Sequence, residues 1–323
     1  MSSTTFNYEN LIENTVVWGK SSPDIRGLIL IGSRTRNNRP ADEWADLDVV
    51  VITKKPESLL FNNEWLRQIG DPRIYFRESA ALGSGQERRV LFTGGLDVDF
   101  AIIAKNDIAK LILMLKIANH PFLTRLLPKK VKQLIQMNLP QVAGLFQRGY
   151  RIILDKDGIV QQILKDAGNL KKQLPPFPPQ TEFLNTIHSF WYDALWVAKH
   201  LRRGELWWAK GCLDLKMKWF GILKMAEWHA KAVHGPNYDT WHRGRFLEQW
   251  ADPRVITELT NAFSHYDSAD AWNSLLATMN LFSWLAQETA TQLGYEYPDL
   301  VEVEAREWVK LLASKTTYKQ DND

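Results

Sequence analysis

Asp46 and Asp48 stand two residues apart at the head of "DLDVVVIT", an apolar run that otherwise reads as a buried strand. Strand side chains alternate between faces, so both carboxylates fall on one face with Cα atoms about 6.6 to 6.8 Å apart. Two ionised groups that close repel unless a cation sits between them, and hard oxygen donors of this kind suit magnesium. The competing reading makes Asp46 a turn cap and Asp48 a solvent-facing residue of an edge strand. Two neighbouring stretches favour a site. Upstream, "LILIGSR" ends an apolar run on Gly32 and Ser33, where a glycine-permissive turn presents backbone N–H groups and a hydroxyl to phosphate oxygens. It is not the P-loop, because no G-x-x-x-x-G-K-[ST] is present. Downstream, "GGLDVDFAII" places Asp97 and Asp99 on one face of another strand. A third carboxylate beside the first two would complete a site for metal-assisted phosphoryl chemistry. Asp99 leads the candidates for a general base, followed by Asp97 and Glu78, and spacing alone does not separate a metal ligand from a base.

These residues need a sheet to hold them. Strand-like runs fall at 27 to 32, 47 to 53, 73 to 77, 89 to 93, 96 to 104 and 150 to 155, after a helical stretch at 7 to 19. Helical sequence lies between the last two strands, with Asp107 as an N-cap for "DIAKLILMLKIA". The order predicts an α+β first domain, residues 1–173, built on a mixed sheet. "LPPFPPQ", residues 174–180, holds four prolines in seven residues and reads as the domain connection. Residues 181–314 carry only long amphipathic helical patterns, punctuated by Gly204 and Gly235, and predict an all-α helical bundle. The polar tail, 315–323, reads as frayed.

Composition excludes several classes. With 40 Lys+Arg against 37 Asp+Glu the formal charge is +3, too small for a chain that lives on nucleic acid phosphates. One cysteine, Cys212, excludes an intrachain disulfide and Cys-rich zinc modules, and fits a reducing cytoplasm. No signal peptide and no run of roughly 18 apolar residues is present, so a soluble protein is expected. "DKDG" at 155 to 158 begins like a calcium loop, but its glycine comes too early and later acidic ligands are missing, which leaves a turn. His229, His234 and His242 miss the i, i+4 spacing of helical zinc sites. Of the 14 tryptophans, those in the helical half are expected mainly in core or interface packing, with a minority lining a pocket.

"GSRT", followed at this interval by "DEWADLDVV", "VDFAII", "ILDKDG", "FWYDALWVAKHLRRGELWWAK" and "LGYEYPD", resembles the aminoglycoside 6-adenylyltransferase family of streptomycin-modifying enzymes, within the nucleotidyltransferase superfamily. The resemblance runs from about residue 7 to 314. It implies magnesium-dependent transfer of AMP from ATP to an aminoglycoside hydroxyl, the 6-position of streptomycin, with release of pyrophosphate and antibiotic resistance as the outcome. By that similarity Gly32 and Ser33 would hold the ATP triphosphate, Asp46 and Asp48 would bind magnesium, and Asp99 would complete the metal site or accept the hydroxyl proton. Arg34 would touch phosphate or fix the loop by an ion pair. Lys199 would reach across a domain cleft to the phosphates, with Lys210 a second lysine of the same kind. The acceptor is a polycation, for which Trp191, Tyr192, Asp193 and Asp97 would offer aromatic faces and carboxylates. "YDALW" and "ELWWAKG" depart from the family pattern and leave other acceptors open. A non-catalytic nucleotide-binding protein on the same fold is the alternative from another class, and the clustered acids argue against it.

Overall fold

The structure, a computed structural model, describes residues 7–36, 41–79, 86–118, 120, 149–168 and 177–314. The chain divides into two compact units, Met1–Leu174 and Pro175–Asp323.

In the first unit α1 (Tyr8–Ser21) starts where the Asn7 side chain accepts from the Asn10 N–H, satisfying one of the amides a helix leaves open. The strands are β1 (Ile25–Ile31), β2 (Leu47–Thr53), β3 (Pro72–Ser79), β4 (Gln86–Phe92), β5 (Leu96–Ala104) and β6 (Arg151–Asp155). They form one mixed sheet in the order β3-β4-β5-β2-β1-β6, in which β2 and β5 run parallel and every other pair is antiparallel. Between β2 and β3 lies α2 (Pro56–Phe61), and β5 runs straight into α3 (Lys105–Ala118). α4 (Ile159–Gly168) follows β6.

Alternation along the inner strands gives each face its own core. Leu28, Leu30, Leu47, Val49, Val98 and Phe100 pack against α1, α2 and the 3-10 turn Glu64–Gln68, where Trp18 of α1 stacks on Trp65 of that turn. Ile29, Val50 and Ile52 pack on the opposite face against Ile108 and Leu115 of α3 and Val160 and Ile163 of α4. β3 is an exposed edge strand. Asp107 is not the cap of α3: the helix begins at Lys105, and Asp107 sits in its first turn paired with Lys110 at 2.9 Å. "DKDG" is a turn. Asp155 Oδ2 accepts from the Val160 and Gln161 amides at the start of α4, and Asp157 pairs with Arg26 and Lys105.

The second unit contains helices only among its described residues. α5 (Gln180–Arg202) leaves the proline stretch, of which residues 174–176 lie outside the described residues. α6 is one continuous rod of three segments, Leu206–Lys210, Gly211–Leu223 and Lys224–His234, the middle one wound as a wider π-type helix. Then come α7 (Leu247–Trp250), α8 (Pro253–Ala262), α9 (Ser268–Leu293) and α10 (Asp299–Ser314). The expected frayed tail, 315–323, lies outside the described residues. Phe190 stacks on Phe282 at 3.6 Å in the centre of this bundle. No described helix is long and apolar enough to cross a membrane.

Candidate active site

Parallel pairing of β2 with β5 sets Asp48 directly beside Asp99, and Asp46 precedes β2 by one residue. One oxygen from each of Asp46, Asp48 and Asp99 lies within 4.8 Å of the other two. Among the described residues this is the one group of three potential metal-ligating side chains so arranged. β2 is an inner strand between β5 and β1, so the edge-strand explanation of Asp48 fails. All three acids are half-buried.

Antiparallel pairing of β1 with β2 sets Ile31 opposite Asp48, which brings the next residue, Gly32, against the same carboxylate. A Cβ at position 32 would lie 2.0 Å from Asp48 Oδ2, and the Gly32 backbone sits at φ 77°, ψ −154°, a region essentially restricted to glycine. Glycine is therefore required twice over. Ser33 opens a single 3-10 turn, Ser33–Thr35. Only 8% of Ser33 is exposed, and its Oγ finds no hydrogen-bond partner among the described residues. Buried hydroxyls are ordinarily satisfied, so this orphan beside three carboxylates fits a site whose remaining partner is a ligand. Three carboxylates of one cluster supply the hard oxygen donors that magnesium takes.

Arg34 fixes the loop by hydrogen bonds to carbonyls. Its Nε donates to the Ala45 and Asp46 carbonyls at 3.1 and 3.2 Å, and Nη2 reaches Ala45 and Asp42. The guanidinium lies 3.5 Å over the Tyr8 ring, and the Tyr8 hydroxyl donates to Asp97 Oδ1 at 3.0 Å. One chain of contacts thus joins α1, the turn after β1, the residue that enters β2 and the acidic strand β5.

Arg89 was missed by the sequence reading. β4 and β5 form a hairpin in which Phe92 opposes Leu96, and the same register sets Arg89 opposite Asp99. Arg89 Nη2 is 3.5 Å from Asp99 Oδ2, and Arg89 Nε is 2.8 Å from Glu78 Oε2. The signal was present in "RRVLFTGGLDVD", since a tight hairpin turn fixes which residues face each other. Burial pushes the Asp99 carboxyl up to about 6; Arg89 opposes that rise, while Glu87, Asp46 and Asp97 add to it.

In the second unit the expected residues occupy different surroundings. Trp191 is 1% exposed, and its Nε1 donates to the Tyr297 hydroxyl at 3.1 Å; the ring belongs to the core and offers no face to a ligand. Tyr192 is 70% exposed. Asp193 is buried and paired with Lys216 at 2.6 Å. Lys199 is exposed on α5. Lys210 is committed locally: its Nζ donates to the Ser264 carbonyl and hydroxyl and pairs with Asp214 at 2.8 Å. Burial raises the Cys212 thiol to about 11, so it is an inert thiol. His229 is buried against Trp284, and burial lowers its pKa. Of the tryptophans in the helical half, Trp191 is in the core, while Trp207, Trp208 and Trp219 are exposed.

Residues 7–312 match the sequence profile of the family described as streptomycin adenylyltransferase. The chain is similar to the aminoglycoside 6-adenylyltransferase of Bacillus subtilis (strain 168), at 24% identity over 285 residues, 86% of this chain and 88% of that one. To the aminoglycoside 6-adenylyltransferase of Campylobacter jejuni it is 23% identical over 287 residues, 87% of each chain. The crystal structure of an aminoglycoside 6-adenyltransferase from Bacillus subtilis aligns over 94% of this chain and 97% of that one, with a TM-score of 0.41 and 17% identity.

Proposed function

The chain belongs to the streptomycin adenylyltransferase family, and on that premise we propose that it transfers AMP from ATP to a hydroxyl of an aminoglycoside, the 6-position of streptomycin, and releases pyrophosphate. The observation that carries the reading is the meeting of Asp46, Asp48 and Asp99 beside the Gly32–Ser33 turn. In the reaction the acceptor oxygen bonds to the α-phosphorus, the bond from that phosphorus to pyrophosphate breaks, and the acceptor proton passes to a base. Magnesium held by Asp46, Asp48 and Asp99 would supply positive charge against the phosphates. Ser33 Oγ and the amides of its turn would bind phosphate oxygens, a role in which the unpaired hydroxyl gains its missing partner. Arg34 would hold the turn and Asp46 in register through the carbonyls it already binds. If Asp46 and Asp48 alone hold the ion, Asp99, paired beside Asp48 on the neighbouring strand, is the carboxylate placed to take the acceptor proton instead of completing the metal site. Lys199 is exposed on α5 of the second unit, and a part for it in binding the triphosphate rests on the family resemblance alone.

Of the residues that the resemblance assigns to the acceptor, Tyr192 is exposed in the second unit and Asp97 is exposed in the first, while Asp193 would have to exchange Lys216 for a substrate ammonium. The low identity to the named relatives and the buried state of Trp191 and Asp193 favour keeping a second reading, adenylyl transfer to a different hydroxyl-bearing acceptor.

Pyrophosphate release is measured with ATP and magnesium, with and without streptomycin, for the wild type and Asp48→Asn. Release that needs both streptomycin and Asp48 is the expected result. Asp48→Asn with normal turnover would remove the metal assignment. Release with other aminoglycosides or alcohols in place of streptomycin would transfer the conclusion to the second reading.

A further inference from the structure

We propose that Arg89 is an internal counter-ion of the acidic cluster, pairing with Asp99 in the metal-free protein and yielding it when a divalent cation binds, so that Arg89 sets the metal affinity of the site. The inference rests on the metal reading above. Its basis is the cross-strand register: Arg89 and Asp99 are directly opposed on β4 and β5, which puts their side chains on one face with Cβ atoms about 4.5–5.5 Å apart. Three carboxylates surround the guanidinium: Glu78 Oε2 at 2.8 Å, Asp99 Oδ2 at 3.5 Å and Glu87 Oε2 at 3.9 Å. Glu78 therefore holds the closest contact, and Asp99 a looser one.

That asymmetry makes release possible. A guanidinium keeps its charge at any working pH, so Arg89 cannot leave Asp99 by losing a proton and must leave by moving. Glu78 provides the place to go, because its contact with Arg89 survives when Asp99 turns toward the other two acids. Glu78 sits on the exposed edge strand β3, and Arg89 keeps 43% of its side-chain surface open, so the movement disturbs no packed side chain of the core. Without Arg89 the oxygens of Asp46, Asp48 and Asp99, within 4.8 Å of one another, would face their mutual repulsion with one cation fewer. A metal ion removes that repulsion itself but must first compete with the guanidinium for Asp99. The sign of the effect follows: Arg89 weakens metal binding while supporting the metal-free site. A merely structural tie would act in the opposite direction, since loosening the acids would weaken the metal.

The test is Mn2+ binding to the full-length protein without nucleotide, followed by the loss of the free-ion electron paramagnetic resonance signal. Wild type is compared with Asp48→Asn, Arg89→Gln and Glu78→Gln. Saturable Mn2+ binding that Asp48→Asn abolishes is expected for the site. Arg89→Gln is then expected to bind Mn2+ more tightly by roughly three- to tenfold, the scale of one partly exposed charge a few ångströms from the ion. Glu78→Gln, which leaves Arg89 to Asp99 and the more distant Glu87, is expected to bind more weakly by a similar factor, and it serves alone if Arg89→Gln does not fold. Unchanged or weaker binding in Arg89→Gln, or unchanged or tighter binding in Glu78→Gln, overturns the counter-ion role and leaves the metal reading standing. Absence of Asp48-dependent binding in the wild type overturns both.

Discussion

At position 32 a methyl group would meet the Asp48 carboxylate at 2.0 Å, in a backbone conformation of φ 77° and ψ −154°. Two separate penalties follow from one substitution. The conformation itself costs a non-glycine residue on the order of 1–3 kcal/mol. Asp48 can turn aside from the added methyl only by leaving the position that brings its oxygen within 4.8 Å of Asp46 and Asp99. A displacement of about 1 Å at a reacting centre can reduce turnover roughly a hundredfold. Gly32→Ala is therefore expected to lower the urea midpoint and to depress pyrophosphate release far more than stability alone explains. Both quantities are measurable on the same preparation at a temperature where the variant is folded. Wild-type turnover in Gly32→Ala would mean that the carboxylate does not need its place beside the turn.

Strands β2 and β5 are legible as apolar runs with acids at one end, and β1 as an apolar run that stops at the Gly32–Ser33 turn. The alternation in "DLDVVVIT" set both acids on one face, and parallel pairing with β5 added Asp99. Arg89 escaped notice because spacing along one strand says nothing of the neighbour's register until the hairpin turn is counted. Periodicity likewise could not separate Trp191, sealed in the bundle, from Tyr192, next to it and open. Nor does it distinguish the wide turns of α6 from ordinary helical ones. Inside that wide segment Lys218 is 6% exposed, and its Nζ donates to the Leu213 carbonyl at 3.1 Å and to Thr278 Oγ1 at 2.7 Å. Burial lowers its pKa from 10.5 to about 7, with nearby Lys210 acting in the same direction and Asp214 against it. The folded state thus prefers the neutral amine. Above pH 10.5 the amine is neutral in both states and carries no penalty. As pH falls toward about 7 the unfolded chain takes up a proton that the folded one refuses, so stability declines. Below about 7 both bind it and the loss stays constant. Lys218→Met, which keeps the volume and removes the titration, should gain stability relative to wild type as pH drops from 10 to 7, by urea unfolding at each pH. A difference that does not vary with pH would assign Lys218 an ordinary pKa.

On the scale of the molecule, each unit has a core built from its own residues, one sandwiching a sheet and the other filling a bundle. The bundle also carries a polar clasp of its own. Glu302 on α10 accepts from Ser283 Oγ of α9 at 2.7 Å, from the Tyr297 hydroxyl at 2.6 Å and from Arg306 Nε at 2.6 Å, and Tyr297 in turn accepts from Trp191 of α5. The partners of this buried carboxylate all come from the bundle itself and tie α5, α9 and α10 together. Helix signals at the ends are local as well: Asp267 caps α9 through the Asp270 amide, and Gly294 closes it in the left-handed conformation. None of these interactions calls on the sheet. Residues 177–314 expressed alone are therefore expected to fold, with a cooperative thermal loss of helical circular dichroism and dispersed side-chain resonances. They should release no pyrophosphate from ATP, because Asp46, Asp48 and Asp99 belong to the other unit. Tyr297→Phe in the fragment should lower the melting temperature by several degrees, since it strips a close hydrogen bond from a buried carboxylate and a partner from the Trp191 N–H at a cost of about 1–3 kcal/mol. A fragment that melts without cooperativity would show that the bundle's helices depend on the sheet unit for their packing.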